Sequence, residues 1–80
     1  MKKTILEITF DTGIFSSQVW KDAEGKYLFD GPACNGPKHI RESGRGPHWR
    51  GEVSPGYVTG LLKRLQDRGI EHKVIYAEGP

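Results

Sequence analysis

The stretch VSPGYVTGLLKRLQDRGIEHKVIY, residues 53–76, contains the start, the body and the end of a helix, followed directly by a strand. Ser54 can accept a hydrogen bond from a free N–H of the first turn, and Pro55 suits the first helical position because a nitrogen there needs no partner. Four apolar residues at helical spacing form one stripe: Val58, Leu61, Leu62 and Leu65. These signals predict a helix over 55–68.

The predicted helix has an equally clear end. Gly69 supplies the left-handed residue that follows many helices, and Leu65 and Ile70 then occupy the contact positions of a Schellman ending. Beyond it, residues 71–76 alternate in polarity and are rich in strand-forming types. A helix that runs into a strand through one glycine is expected to pack back on the sheet that the strand joins.

Length and composition indicate one small domain, residues 1–80. A chain of this size buries only roughly 60% of its unfolded surface, so its core is small. The single cysteine, Cys34, cannot form an internal disulfide and agrees with a reducing compartment. No apolar run is long enough to span a membrane, and Met1-Lys2-Lys3 is not followed by the apolar segment of a signal peptide. We therefore expect a cytoplasmic protein with no membrane partner.

The first thirty residues predict three more strands. Residues 4–10 alternate between apolar and polar side chains, residues 14–21 form a second apolar-rich run, and residues 26–29 form a third. Between the last two runs, Asp22-Ala23-Glu24-Gly25 fits a hairpin loop whose glycine takes the left-handed position.

Residues 31–52 show no sustained periodicity. Three Gly-Pro pairs, at 31–32, 36–37 and 46–47, interrupt helices and inner strands, since proline lacks the donor and restrains the residue before it. We treat the segment as one long loop, although a short edge strand within 49–53 would shorten it. The predicted fold is α+β: a small four-stranded, mostly antiparallel sheet with one helix packed on one face, in the order β-β-β-long loop-α-β.

The long loop collects basic and aromatic side chains, which form the first candidate site: Lys38, Arg41, Arg45, His48, Trp49 and Arg50. Arginine has a planar fork that suits phosphate, and exposed aromatic rings can stack on unpaired bases. Glycines allow the backbone to approach an anion closely. The loop is therefore predicted to bind nucleic acid. The alternative is a solvated loop that Trp49 anchors to the core.

A second candidate lies on one flank of the predicted helix, where Tyr57, Arg64 and Arg68 share a side. Arg64 and Arg68 are like charges one turn apart, which costs a little unless something negative lies opposite. Gly56 and Gly60, on the outer side, would allow another backbone to approach. We interpret this flank as a surface for nucleic acid or a protein partner. The alternative is an ordinary solvated helix face.

Cys34, His39 and His48 raise the question of a zinc site, with His72 or Glu52 as a fourth ligand. The four residues between Cys34 and His39 make a slightly long zinc knuckle, and the sequence has no second tight pair of ligands. As a nucleophile with a base, Cys34 and a loop histidine lack an orienting third group. We expect no metal, no cofactor and no enzymatic activity.

The sequence thus favours a small non-enzymatic binding protein. Its expected partner is nucleic acid, or a complex that handles nucleic acid, contacted through the basic Gly/Pro-rich loop. The alternative is a stand-alone inhibitor or adaptor that binds one protein partner stoichiometrically, as small phage-encoded regulators and anti-defence proteins do. Salt separates the two, because binding to nucleic acid weakens steeply as salt is added.

Overall fold

The computed structural model describes residues 4–12, 16–43 and 46–77, which form one antiparallel sheet and one long helix. The elements in chain order are β1 (Thr4–Asp11), β2 (Ser16–Lys21), β3 (Tyr27–Pro32), a 3₁₀ turn (Ala33–Asn35), α1 (Lys38–Arg41), β4 (His48–Val53), α2 (Pro55–Asp67) and β5 (His72–Ala77).

The sheet has five strands in the order β4-β3-β2-β1-β5, and every neighbouring pair is antiparallel. The small α+β class is consistent with this structure. The four-stranded sheet is wrong, because β4 adds a fifth strand that pairs with β3 from Pro32↔His48 to Tyr27↔Val53. This strand matches the short edge strand considered within 49–53, and the remainder of the segment 31–52 contains the 3₁₀ turn and α1.

The positions of the prolines explain the difference. Pro32 is the last residue of β3, and the pairing of β3 with β2 already ends at Gln18↔Asp30. The absence of an N–H group on Pro32 therefore interrupts no hydrogen bonds between these strands. Pro37 stands between the 3₁₀ turn and α1, and Pro47 directly precedes β4. Each proline therefore separates two elements, and the elements themselves are too short to show a periodic pattern.

The helix α2 has the ends that the sequence predicts. The Tyr57 N–H donates to the Ser54 hydroxyl at 3.1 Å. At the other end, Gly69 has φ +64°, and the Ile70 N–H donates to the Leu65 carbonyl at 3.0 Å. These are the features of a Ser-capped start and of a Schellman ending.

One face of the sheet carries the core, and α2 covers that face. The buried cluster combines residues from four strands with three helix residues: Ile8, Phe10, Val19, Phe29, Val53, Val58, Leu61 and Leu65. Full burial of each large aliphatic side chain stabilises a fold by about 1.5–3 kcal/mol. The apolar stripe of the helix is therefore the surface that fixes α2 on the sheet.

The opposite face of the sheet carries no second layer within the described residues. Side chains alternate along a strand, so the residues between the core positions point to this side. In register they form two rows across the sheet, which we call the open face: Ile75-Glu7-Trp20-Leu28-Glu52 and Lys73-Thr9-Gln18-Asp30-Arg50.

Candidate functional site

A cavity of about 140 Å³ lies between the second half of α2 and the segment that joins β3 to α1. Three arginines line it: Arg41 at the end of α1, Arg64 within α2, and Arg68 directly after α2. We call it the arginine cavity. Its other lining residues are Phe10, Thr12, Cys34, Asn35, Leu61, Leu65 and Ile70.

Local structure explains why the three arginines line the same cavity. Arg64 and Arg68 are four residues apart, so they lie on the same side of the helix. Arg41 belongs to a single helical turn that is held against the protein by Ile40, which is 4% exposed. The anchored turn thus brings Arg41 to the helix, although more than twenty residues separate it from Arg64 in the chain.

A chain of hydrogen bonds fixes the wall of the cavity at the 3₁₀ turn. The Tyr57 hydroxyl donates to the Asn35 carbonyl at 2.7 Å. The side-chain amide of Asn35 donates to Ser17 Oγ at 3.2 Å and lies 3.3 Å from Thr12 Oγ1. Because Ser17 is fully buried, Asn35 is held at the junction of helix, turn and sheet.

The charges of the cavity also affect the pKa of the Tyr57 hydroxyl. Burial raises the pKa of Tyr57, while the Arg64 guanidinium, which also hydrogen-bonds the side chain, and the Arg41 charge oppose the rise. The phenol is therefore protonated at neutral pH and can keep donating to Asn35.

No acidic side chain of the described residues neutralises the positive charge of the arginine cavity. No Asp or Glu lines it, and none of the ion pairs among the described residues involves Arg41, Arg64 or Arg68. The negative end of the α2 dipole offsets part of the charge. An anion between the three guanidinium groups would remove their repulsion and accept charge-assisted hydrogen bonds.

The size of the cavity suits one small anion. Since a water molecule occupies about 30 Å³ of liquid, a volume of about 140 Å³ holds a few waters, or one tetrahedral oxyanion in their place. The donors that its lining offers to an anion are arginine forks, which bind phosphate in proteins.

Lys38 and Trp49, two of the predicted site residues, lie outside the cavity. Lys38 is exposed, with its Nζ 3.8 Å from Glu42 Oε1. Trp49 lies on the core side of β4, and its ring centroid is 5.9 Å from that of Phe29. This placement matches the anchoring interpretation of Trp49 and gives no support to stacking on a base.

His48 and Arg50 lie on the opposite side of the sheet from the cavity. His48 Nε2 is 2.6 Å from Asp30 Oδ1, and the Arg50 guanidinium lies 5.3 Å from the centre of the Trp20 ring. Arg45 lies outside the described residues. The structure therefore joins Arg41 to the helix flank of Tyr57, Arg64 and Arg68, and it does not gather the described loop residues Lys38, His48, Trp49 and Arg50 into one cluster with them.

The possible zinc ligands do not form a cluster among the described residues. Within residues 4–12, 16–43 and 46–77, no three His, Cys, Asp or Glu side chains are grouped so that they could hold a metal ion. His72 Nδ1 lies 2.6 Å from the Ile70 carbonyl oxygen, and Cys34 Sγ lies 3.8 Å from Asn35 Oδ1.

Sequence reasoning missed Asn35 and Trp20. Nothing local marks Asn35, because its partners Tyr57 and Ser17 are distant in the chain. Trp20 did carry a signal: it follows Val19, a core residue, so strand alternation alone places its indole on the open face.

No known protein family, curated protein or solved structure matches this chain. Among the described residues, no helix has both the length and the apolar character that a membrane crossing requires. The geometry of the site is therefore the basis for a functional proposal.

Proposed function

We propose that the protein binds nucleic acid by holding a backbone phosphate in the arginine cavity. The observation that carries this proposal is that Arg41, Arg64 and Arg68 line one cavity, and that no carboxylate among the described residues lines it with them. Arginine forks donate paired hydrogen bonds to phosphate oxygens, and a phosphate supplies the negative charge that the cavity lacks.

Basic groups beside the cavity favour a polyanion over a single small anion. Lys38 and His39 are exposed on α1, the same short helix that positions Arg41. Phosphates on either side of the bound one could pair with such groups, whereas an isolated phosphate could not. A nucleic-acid partner also agrees with the cytoplasmic location expected from the sequence.

The test is the affinity for a labelled oligonucleotide, single-stranded and duplex, measured by fluorescence anisotropy across a salt series. Arg41→Ala, Arg64→Ala and Arg68→Ala should each weaken binding by about tenfold, the equivalent of one hydrogen bond to a charged group. For the single strand, replacing all three arginines together should also reduce the salt slope by about 0.7, the value for one lost phosphate contact.

The matched control is Lys26→Ala, which removes one exposed positive charge at the β2–β3 hairpin, away from the cavity. Its binding should equal that of the native protein. Equal losses in this variant and in the arginine variants would show diffuse charge attraction and would overturn the proposal. So would tight binding of inorganic phosphate without binding of either oligonucleotide.

A protein partner is the second candidate, and the open face is the observation that favours it. Trp20 and Leu28 are register neighbours, and Ile75, which is 42% exposed, belongs to the same row. Glu7 stands between Ile75 and Trp20, and further charges of both signs lie around the pair Trp20 and Leu28: Asp30, Arg50, Glu52 and Lys73. An apolar centre with a mixed polar rim is typical of protein interfaces.

The second candidate is tested by replacing Trp20. It predicts a stoichiometric complex that the native protein forms and Trp20→Ala does not, while both bind the oligonucleotide equally. A complex that survives Trp20→Ala but is lost in Arg64→Ala would place the partner at the arginine cavity instead.

A further inference from the structure

The outer edge of β4 has hydrogen-bonding groups that the described chain does not use. The Ala33 N–H donates to the Pro47 carbonyl at 3.0 Å. From this pair onward, residue pairs of β3 and β4 alternate between hydrogen-bonded and non-hydrogen-bonded. His48, Arg50 and Glu52 consequently direct their backbone N–H and C=O groups away from β3. No hydrogen bond between described residues uses these groups. Edges of this kind are ready to pair with another strand.

The edge also lacks two features that commonly prevent pairing, a proline and a β-bulge. The six residues of β4 include no lysine and no proline, and their register with β3 is continuous, without a bulge. Arg50 and Glu52 stand on either side of Gly51 and point to the open face. Within the described residues, Glu52 takes part in no ion pair. The fold itself therefore does not explain this charge pattern.

The charge pattern selects one antiparallel register between two β4 strands. With Arg50 at the centre, the two arginines lie opposite each other, and with Glu52 at the centre, the two glutamates do. With Gly51 at the centre, Arg50 of each copy lies opposite Glu52 of the other, and the outward backbone groups of both residues are paired. Opposite charges across a ladder stabilise it, and like charges destabilise it.

We propose that two copies of this chain pair antiparallel through β4, centred on Gly51, so that the sheet continues from one copy into the other. About four new backbone hydrogen bonds join Arg50 and Glu52 of the two copies. The Arg50 side chain, which lies over Trp20 in the single chain, turns toward the edge to reach Glu52 of the second copy. The interface is isologous, so it closes at a dimer.

The opposite edge of the sheet lacks this self-complementary pattern. Along β5 there is no acidic residue, and Lys73 is its one lysine or arginine, so no register between two β5 strands brings opposite charges together. An edge lysine is also a common way to discourage strand pairing. The proposal therefore concerns β4 alone.

The test measures the mass of the protein in solution by analytical ultracentrifugation. The native chain should be a dimer. Arg50→Glu leaves only negative charges at the pairing positions, Glu52→Arg leaves only positive ones, and each should weaken the dimer by about tenfold or more. An equimolar mixture of these two variants restores both opposite-charge pairs, and so does the double variant R50E/E52R. Both should form dimers again.

Lys73→Glu is the control, since it reverses one charge on the other edge strand and should leave the dimer unchanged. Thermal unfolding followed by circular dichroism shows that each variant is folded. A native chain that is monomeric at every concentration tested would overturn the proposal. A dimer that persists in both single variants, or one that the mixture does not restore, would place the interface elsewhere and overturn it equally.

Discussion

Tyr57 connects the long helix to the wall of the arginine cavity. Its ring lies edge-on to Phe29, with centroids 6.3 Å apart, and its hydroxyl donates to the Asn35 carbonyl at 2.7 Å. One side chain thus combines packing in the core with a polar contact at the site. The bond holds Asn35 in the cavity lining, where its side-chain amide is directed at Ser17 and Thr12.

Tyr57→Phe removes the hydroxyl and keeps the ring. We expect a loss of about 1 kcal/mol in the free energy of unfolding at neutral pH, the usual contribution of one partly buried hydrogen bond. Urea unfolding of the two proteins measures the difference. Equal stability of the two would show that the Asn35 carbonyl finds another donor.

The same pair predicts a dependence on alkaline pH. The pKa of Tyr57 is raised above its usual 10.0, chiefly by burial, so the folded state holds the phenol proton more tightly than the unfolded state does. The contribution is therefore complete below pH 10 and is lost as the pH rises through the folded pKa. The stability difference between the native protein and Tyr57→Phe should shrink above pH 10. A difference that grows there would contradict the assigned direction of the shift.

At the scale of the element, replacing Gly60, within α2, and Gly69, just after its end, should have opposite effects. A methyl group at Gly60 would meet nothing within 4 Å, whereas Gly69 has φ +64°, in the left-handed region. Gly60→Ala should raise the free energy of unfolding by roughly 1 kcal/mol, because alanine loses less backbone freedom on forming a helix. Gly69→Ala should lower it by about 1 kcal/mol, because the added carbon is strained there.

Each substitution is the control for the other, since each adds one methyl group, one within α2 and one just after it. Denaturant unfolding of the two variants gives the signs. If Gly69→Ala were neutral, the Schellman ending would contribute nothing, and if Gly60→Ala were destabilising, something outside the described residues would contact that position.

The helix could be predicted because its signals are local. Ser54, the apolar stripe and Gly69 act within one or two turns, so the sequence contains the whole argument for α2. For β4 the sequence offers only the possibility of a short edge strand within 49–53, because the pairing depends on β3, about twenty residues earlier. The arginine cavity also depends on a contact between distant parts of the chain. The spacing of Arg64 and Arg68 places them on one flank of the helix, but Arg41 reaches the cavity only because Ile40 is buried.

At the scale of the whole molecule, the two candidate surfaces lie on opposite sides of a thin body. The shortest extent of the Cα positions is 17 Å, as a sheet with one helix layer requires. The arginine cavity is on the helix side and the open face is on the other. The proposed edge pairing through β4 extends the sheet laterally, so both surfaces stay accessible in a dimer.

The central claim is that the arginine cavity holds a phosphate of nucleic acid, and an NMR titration with an oligonucleotide tests it most directly. In ¹⁵N-labelled protein, the side-chain Nε–H signals of Arg41, Arg64 and Arg68 and the backbone amide of Asn35 should shift together and saturate. The indole N–H of Trp20, on the open face, is the internal reference and should stay in place. Binding that shifts Trp20 and leaves the three arginine signals unchanged would contradict the claim.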